Sequence, residues 1–258
     1  MESARPRSPA LNPRLVAGLA ILLLWEATAR LFAPAYVARP TGVAMALPHV
    51  LADPAFLRAA GLTLAAVAEG VAIAIVLGTA LGLAMGRSLV AGRALRLWVN
   101  SFNALPMIVV LPLFSLWFGY TGSARLATVV FAAIFSILLN VADGASTVPS
   151  GYIEVARSFR ARGWSIVAEI VVPAATPYIL AGIRLAAGRA LIGAVVAEFF
   201  TAIPGLGYYI LYNSRTFHHN DAFVAVLLLA GFGAGFDALV AQGTRRLLPW
   251  YRRDEARE

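Results

Sequence analysis

Long apolar stretches alternate with short polar stretches along this chain. Six apolar windows approach the length of about 20 residues that is needed to cross the hydrocarbon core of a bilayer. The windows are Leu15–Phe32, Leu62–Met85, Leu97–Phe118, Leu126–Val141, Ala174–Val196 and Ala222–Leu239. Because backbone groups in lipid must form hydrogen bonds within their own segment, each window is predicted to be helical. The pattern predicts an all-α integral membrane protein with about six transmembrane helices.

Prolines interrupt this pattern in two places. The stretch 33–60 is predicted to be an extended link, because it contains four prolines: Pro34, Pro40, Pro48 and Pro54. Pro106 and Pro112 lie inside the third window, where they are predicted to kink or break the helix. Broken spans in membranes lie where helices pack together or line a cavity.

The distribution of arginines predicts the orientation. With the N-terminus inside, the cytoplasmic segments hold 14 of the 21 basic residues: Arg5, Arg7, Arg14, Arg87, Arg93, Arg96, Arg157, Arg160, Arg162, Arg245, Arg246, Arg252, Arg253 and Arg257. The outer segments hold five: Arg30, Arg39, Arg58, Arg125 and Arg215. This excess on one side follows the positive-inside rule, so both termini are predicted to be cytoplasmic.

The first window also has the features of a secretory signal, since Arg14 precedes the apolar stretch Leu15–Trp25 and small residues follow near Ala33. Cleavage would leave the orientation of the other five spans unchanged, so the arginines do not separate the two interpretations. We favour a retained helix, because a first span usually anchors a multi-span protein.

The composition of the chain excludes several kinds of site and partner. The 258 residues are 60% hydrophobic and 13% charged, with a mean hydropathy of +0.77, whereas soluble domains carry about 25% charged residues. The net charge of +8 follows from membrane orientation, so no nucleic-acid partner is expected. All 21 basic residues are arginines and there is no cysteine, which excludes a P-loop lysine and thiolate chemistry. His218 and His219 are adjacent, but no third ligand stands at helical spacing, so a solvated loop is favoured over a metal site.

Residues 154–173 form a polar, arginine-bearing segment between the fourth and fifth windows. On a helical wheel, Val155, Phe159 and the edge of Ile153 share a face, and arginines occupy the rest. The segment is predicted to be an amphipathic helix on the cytoplasmic side. Two interpretations are open on physical grounds: an interfacial helix held to anionic lipid, or a docking helix for a cytoplasmic partner.

The spacing of Glu154, Ala156, Ile170 and Pro173 matches a known signature, in which Glu-Ala-Ala is followed by a glycine, an apolar residue and a proline. Further matching pieces follow one order along the chain: Trp117-Phe118-Gly119, Leu139-Asn140, Pro177-Tyr178, Gly182-Ile183-Arg184-Leu185, Ala197-Glu198 and Gly205-Leu206-Gly207-Tyr208. Over nearly its whole length the chain resembles permease subunits of binding-protein-dependent ABC importers, in the nitrate/sulfonate/taurine branch.

Two departures stand within the signature. Val155 replaces the family's second residue, alanine, and Arg160 stands where the family has glycine, while Gly163 follows three residues later. Glycine lets a helix turn or end. We therefore expect the helix–turn–helix to be shifted by nearly one turn, toward Gly163.

The resemblance implies a type I ABC importer permease fold that works as a pair, expected to be a homodimer in the bacterial plasma membrane. It implies two cytoplasmic ATPase subunits, a periplasmic solute-binding protein and a small anionic or zwitterionic solute. ATP would bind to the ATPase partner. This chain would therefore need no cofactor and carry no catalytic residue. The organisation would be a cytoplasmic tail at 1–13, a first transmembrane helix and periplasmic link at 14–57, the importer transmembrane domain at 58–247 and a cytoplasmic tail at 248–258. The implied docking residues are Glu154, Val155, Ala156, Phe159, Arg160, Gly163 and Pro173, the last opening the next span.

Ionisable residues inside predicted spans are costly and need an explanation. Arg184 could form an ion pair with Glu69 or Asp237, or could line the pathway and favour an anionic solute. Arg189 is a second pathway candidate. Glu198, near the outer end of its span, could serve a gate, contact the binding protein or simply meet water.

Two other classes of function compete. An ion-coupled secondary transporter would need a cluster of carboxylates near the midplane, whereas Glu69 and Asp237 are isolated in sequence. An intramembrane enzyme would need a nucleophile–base pair or a metal motif, and neither occurs.

Overall fold

A computed structural model describes residues 13–32 and 36–247. The predicted cytoplasmic tails therefore lie outside the described residues, apart from Pro13. The described chain is helical: α1 (Pro13–Phe32), α2 (Pro40–Ala52), α3 (Pro54–Arg87), α4 (Leu89–Ala104), α5 (Met107–Phe118), α6 (Gly122–Ser146), α7 (Ser150–Ser158), α8 (Gly163–Ile166), a π-helical turn (Val167–Val171), α9 (Val172–Thr201), α10 (Leu206–Arg215) and α11 (His219–Leu247).

Five segments of the described chain are long and apolar enough to cross a membrane: Leu15–Phe32, Pro54–Arg87, Gly122–Ser146, Gly163–Thr201 and His219–Arg246. The bent pair of α4 and α5 would be a sixth if it counts as one span. The prediction of a multi-span, all-α membrane protein is confirmed. The helices extend beyond the apolar windows, because hydrogen bonding continues into polar residues at their ends.

The third window is broken, as its prolines predict. Helices α4 and α5 meet at an angle of 97°. Leu105 is extended, with ψ of 127°, because the ring of Pro106 disfavours a helical conformation in the preceding residue. Pro112 lies inside α5.

The prediction of an extended link at 33–60 is wrong over its described part, where α2 and the start of α3 are helical. Pro40 and Pro54 each open a helix, a position where the missing N–H costs nothing. Between these helices Asp53 is extended, and its carboxylate accepts a hydrogen bond from the Ala55 N–H at 2.9 Å. Pro40 and Pro54 therefore start helices in this segment, while Pro48 lies inside α2.

The chain divides into two compact units. Over the described residues, one comprises 13–32, 36–57 and 209–227, and the other comprises 58–208 and 228–247. In the first unit, aromatic rings pair between helices: the ring centroids of Trp25 and Phe223 lie 4.8 Å apart.

The second unit is built around α3, α6 and α9. Its core is formed by small and branched residues: Val71, Ala74, Val129, Ala133, Ile137, Val141, Ala186, Ala190 and Ala194. Glycines bring the backbones together, since a Cβ at Gly82 would lie 2.7 Å from the carbonyl oxygen of Leu138, and one at Gly182 would lie 3.0 Å from the Cα of Ile137. Close helix packing through small residues is typical of membrane bundles.

Pro173 does not open a separate span. It lies in the first turn of α9, but α8 and the π-helical turn continue the helical backbone back to Gly163. A proline ring in an α-helix clashes with the carbonyl four residues earlier, here that of Glu169. The wider π-helical turn contains Glu169 and accommodates the ring, so the helix runs on from Gly163 to Thr201.

Candidate functional site

The predicted amphipathic segment is anchored by one face of α7. Ile153 is buried in a small core with Ala145 and Val148, which precede α7, and with Ile166 and Val171, which follow it. Ala156 packs against the same core. The segment is thus held firmly against the ends of α6 and α9.

The turn after α7 falls at Arg160, so the expected shift toward Gly163 is wrong. Arg160 has φ of +59°, its N–H donates to the Arg157 carbonyl at 2.9 Å, and the Ala161 N–H donates to the Ala156 carbonyl at 3.0 Å. These two bonds are the Schellman motif that ends many helices, in which the left-handed position is usually glycine. Gly163 instead begins α8.

The face of this segment that is turned away from the Ile153 core is apolar and exposed. Four side chains, which we call the docking surface after the role predicted from the sequence, are highly exposed: Tyr152 at 66%, Val155 at 57%, Phe159 at 82% and Trp164 at 80%. Glu154, Arg160, Gly163 and Pro173 are also exposed, whereas Ala156 is half-buried. Exposed apolar side chains that are rimmed by charges mark protein or membrane contacts.

Arg184 forms an ion pair with Asp237 on α11. The Nε and Nη2 groups of the guanidinium donate to the two carboxylate oxygens, Nη2 at 2.6 Å from Oδ2. Of the two partners considered from the sequence, Asp237 is therefore the one that contacts Arg184. A bidentate pair neutralises both charges inside the spans.

We expect the two charges of the Arg184–Asp237 pair to compensate each other during folding. Removing one charge should impair folding, and removing both should not. Replacing Asp237 with asparagine leaves Arg184 uncompensated and should lower the yield of monodisperse protein severalfold. The double variant Arg184→Gln/Asp237→Asn removes both charges and should recover most of that yield, measured by fluorescence-detected size exclusion. A double variant as poor as the single one would contradict this expectation.

Arg189 has a different environment. Its Nη1 donates to the amide oxygen of Asn103 on α4 at 2.7 Å. Among the described residues, no carboxylate lies within 4.0 Å of the Arg189 guanidinium. The two arginines of α9 thus differ. The charge of Arg184 is balanced by Asp237, whereas no carboxylate of the described residues balances the charge of Arg189.

Glu198 is completely buried, so of the three roles considered from the sequence, simple contact with water does not hold. Its Oε1 accepts hydrogen bonds from Thr63 Oγ1 at 2.8 Å and Arg125 Nη1 at 3.1 Å, and its Oε2 accepts from the Gly207 N–H at 2.8 Å. The carboxylate joins α3, α6 and the start of α10 to α9, and it is closed to solvent.

The same cluster holds the connection between α9 and α10. Arg125 Nη1 also donates to the Pro204 carbonyl at 2.9 Å, and Thr63 Oγ1 accepts from the Leu206 N–H at 2.8 Å. A Cβ at Gly207 would lie 2.9 Å from the Cβ of Glu198, which explains the glycine there. We call Thr63, Arg125, Glu198 and the backbone of 204–207 the buried latch.

Sequence reasoning missed Arg125 by assigning it to an outer loop. In the structure it lies in the first turn of α6 and is 8% exposed. The sequence feature that could have pointed to Arg125 was the isolated carboxylate of Glu198 inside a span, because a buried anion requires a cation. Asn103 was also missed, since a lone asparagine near the end of an apolar window has no distinctive pattern.

Within the described residues, no group of three or more metal-ligating side chains comes together. His218 Nδ1 lies 3.1 Å from Thr216 Oγ1. His49 Nε2 lies 3.2 Å from Asp221 Oδ1.

Known proteins show the same fold and sequence pattern. The inward-facing structure of the MetNI methionine ABC transporter has a chain that superposes with a TM-score of 0.66 at 19% identity, covering 74% of this chain and 95% of that one. The formylaminopyrimidine transport permease ThiX of Halalkalibacterium halodurans is 30% identical over 245 residues, which is 95% of this chain and 97% of ThiX.

The putative aliphatic sulfonates transport permease SsuC of Bacillus subtilis is 31% identical over 183 residues, covering 69% of this chain and 66% of SsuC. Residues 70–249 match the family described as the binding-protein-dependent transport system inner membrane component. This range includes the docking surface, both arginines of α9 and most of the buried latch. The chain is a multi-pass membrane protein with the type I ABC importer permease fold, and it belongs to this family of inner membrane transport components.

Proposed function

We propose that this chain is the permease subunit of an ATP-driven importer. A periplasmic binding protein delivers a small anionic or zwitterionic solute, the spans of the permease form the pathway, and a separate cytoplasmic subunit hydrolyses ATP. The chain supplies no catalytic group and no cofactor site of its own to this cycle.

The docking surface carries this proposal. Its four apolar side chains are exposed, while the backbone beneath them is fixed by the Ile153 core and the Schellman motif. A rigid, apolar, arginine-rimmed surface suits a protein groove, in which aromatic anchors supply most of the binding energy. An ATPase docked there would push on α8 and α9, because the helix that starts at Gly163 runs on to Thr201.

We place the docking surface and both termini on the cytoplasmic side of the plasma membrane. The arginine distribution supports this orientation. We also expect a second copy of the chain, since the side chains of Arg184 and Asp237 remain 53% and 46% exposed in one protomer and charges avoid lipid. A homodimer with a pathway between the copies would keep them away from lipid.

The class of solute is inferred from relatives and from charge. The names of ThiX and SsuC point to a formylaminopyrimidine and to aliphatic sulfonates. The uncompensated Arg189 favours a solute that carries a negative charge. We therefore expect a small anionic or zwitterionic nutrient of the nitrate, sulfonate or taurine kind.

Reconstitution tests the proposal. Proteoliposomes that contain the chain with its cognate ATPase should take up solute only when the binding protein and ATP are present. Replacing the P-loop lysine of the ATPase with alanine should abolish uptake, while an ionophore should leave it unchanged. Uptake that proceeds without the ATPase and stops on adding ionophore would instead indicate an ion-coupled secondary transporter.

A further inference from the structure

A small cavity of about 120 Å³ lies at the bend between α4 and α5. Its walls come from the end of α4, the start of α5, and the facing sides of α6 and α9. This volume is below the roughly 300–1,000 Å³ of sites for drug-sized ligands, so the cavity has room only for a ligand much smaller than those. Broken helices at membrane depth also occur where they line a cavity.

We propose that this cavity is a binding site within the permease for a small organic anion that has an apolar body. The anionic group contacts Arg189 and Asn103, and the apolar body lies against Phe102, Phe131 and Phe135. The inference rests on the proposed function and adds to it a solute site in the membrane subunit and a chemical class for its ligand.

The charge of the site comes from Arg189, the charged residue in the cavity wall. A guanidinium has five N–H donors, and the described residues occupy one of them, through the Asn103 amide oxygen. Arg184, one and a half turns earlier on α9, is neutralised by Asp237. The unpaired guanidinium, with the adjacent Asn103 NH₂ group, offers several donors to a carboxylate or a sulfonate.

The remaining wall is apolar and aromatic. The rings of Phe131 and Phe135 meet edge to face, with centroids 5.1 Å apart, and Phe102, Met107 and Ile192 line the same cavity. Aromatic faces carry negative partial charge, so they direct an anionic group toward Arg189 and accept an apolar body. An inorganic anion would leave this wall uncovered, which is why we assign an organic one.

Binding to the purified permease–ATPase complex tests this site. The complex is placed in phosphatidylcholine nanodiscs without the binding protein, and calorimetry measures four probes: butanesulfonate, nitrate, butyltrimethylammonium and butanol. Butanesulfonate should bind at least tenfold more tightly than each of the others, because only it has both the anionic group and the apolar body. Equal affinity for nitrate or for the cation would overturn the proposal.

Two variants of cavity residues and one control outside the cavity test whether butanesulfonate binds in this cavity. Arg189→Gln and Phe131→Ala should each weaken butanesulfonate binding at least tenfold. Arg93→Gln, which removes a charge from an exposed position on α4 outside the cavity, should bind as the parent does. Unchanged binding by a monodisperse Arg189→Gln complex would overturn the site while leaving the proposed function intact. A parent chain that neither associates with the ATPase nor supports ATP hydrolysis would instead overturn the proposed function.

Discussion

Replacing Glu198 with leucine is expected to lower the free energy of unfolding by about 3–5 kcal/mol, the usual cost of removing one partner from a buried ion pair. Arg125 would remain buried with the Pro204 carbonyl as its remaining partner, and the Gly207 N–H would lose its acceptor. The connection between α9 and α10 should loosen as a result. Denaturation in mixed micelles, followed by tryptophan fluorescence, measures the change.

Two further variants separate charge from shape in the buried latch. The double variant Glu198→Leu/Arg125→Leu removes both charges and should recover much of the loss, since apolar replacement of a buried pair is often neutral. Glu69→Gln, an exposed carboxylate on α3, should change stability little. A Glu198→Leu protein as stable as the parent would show that the latch contributes nothing to folding.

Replacing Phe159 with aspartate is expected to abolish ATP-driven uptake. Phe159 is 82% exposed at the tip of the docking surface, so the change should not disturb folding. Loss of an aromatic anchor at an interface costs about 2 kcal/mol or more, roughly 30-fold in affinity. Co-purification of the tagged chain with its ATPase subunit measures the loss.

Arg160→Gly tests whether docking needs the turn itself or the Arg160 side chain, since the family that the chain resembles has glycine at this position. Glycine adopts the left-handed conformation without steric cost, so this variant should keep the turn and gain about 1 kcal/mol of stability. We expect it to retain the ATPase and to show that the shape of the turn is intact. Retention of the ATPase by Phe159→Asp at parental affinity would remove the docking surface from the coupling mechanism.

The sequence was most informative where structure depends on local properties. Apolar length predicts the long helices because a membrane span must satisfy its own backbone. Pro106 predicts the break because its ring acts on its immediate neighbours. The family resemblance is confirmed by the family match over residues 70–249.

Prediction failed where several conformations suit one composition. Pro40 and Pro54 start helices as readily as they extend a link, and the deciding contacts lie outside the local sequence. Gly163 seemed to mark the turn, yet the hydrogen bond from Ala161 to Ala156 and the packing of both residues hold Arg160 in the left-handed conformation. The Arg125–Glu198 pair spans 73 residues, a separation that no periodic pattern reveals.

The unbroken helix from Gly163 to Thr201 has a mechanical consequence. At about 1.5 Å per residue its 39 residues extend almost 60 Å. Under the proposed function, one helical rod therefore begins beside the ATPase contact and ends three residues past Glu198. Under the same function, thrust applied at the Gly163 end would travel along this one helix, and the widened turn before Pro173 and the interior Pro177 are two places where such thrust could be absorbed.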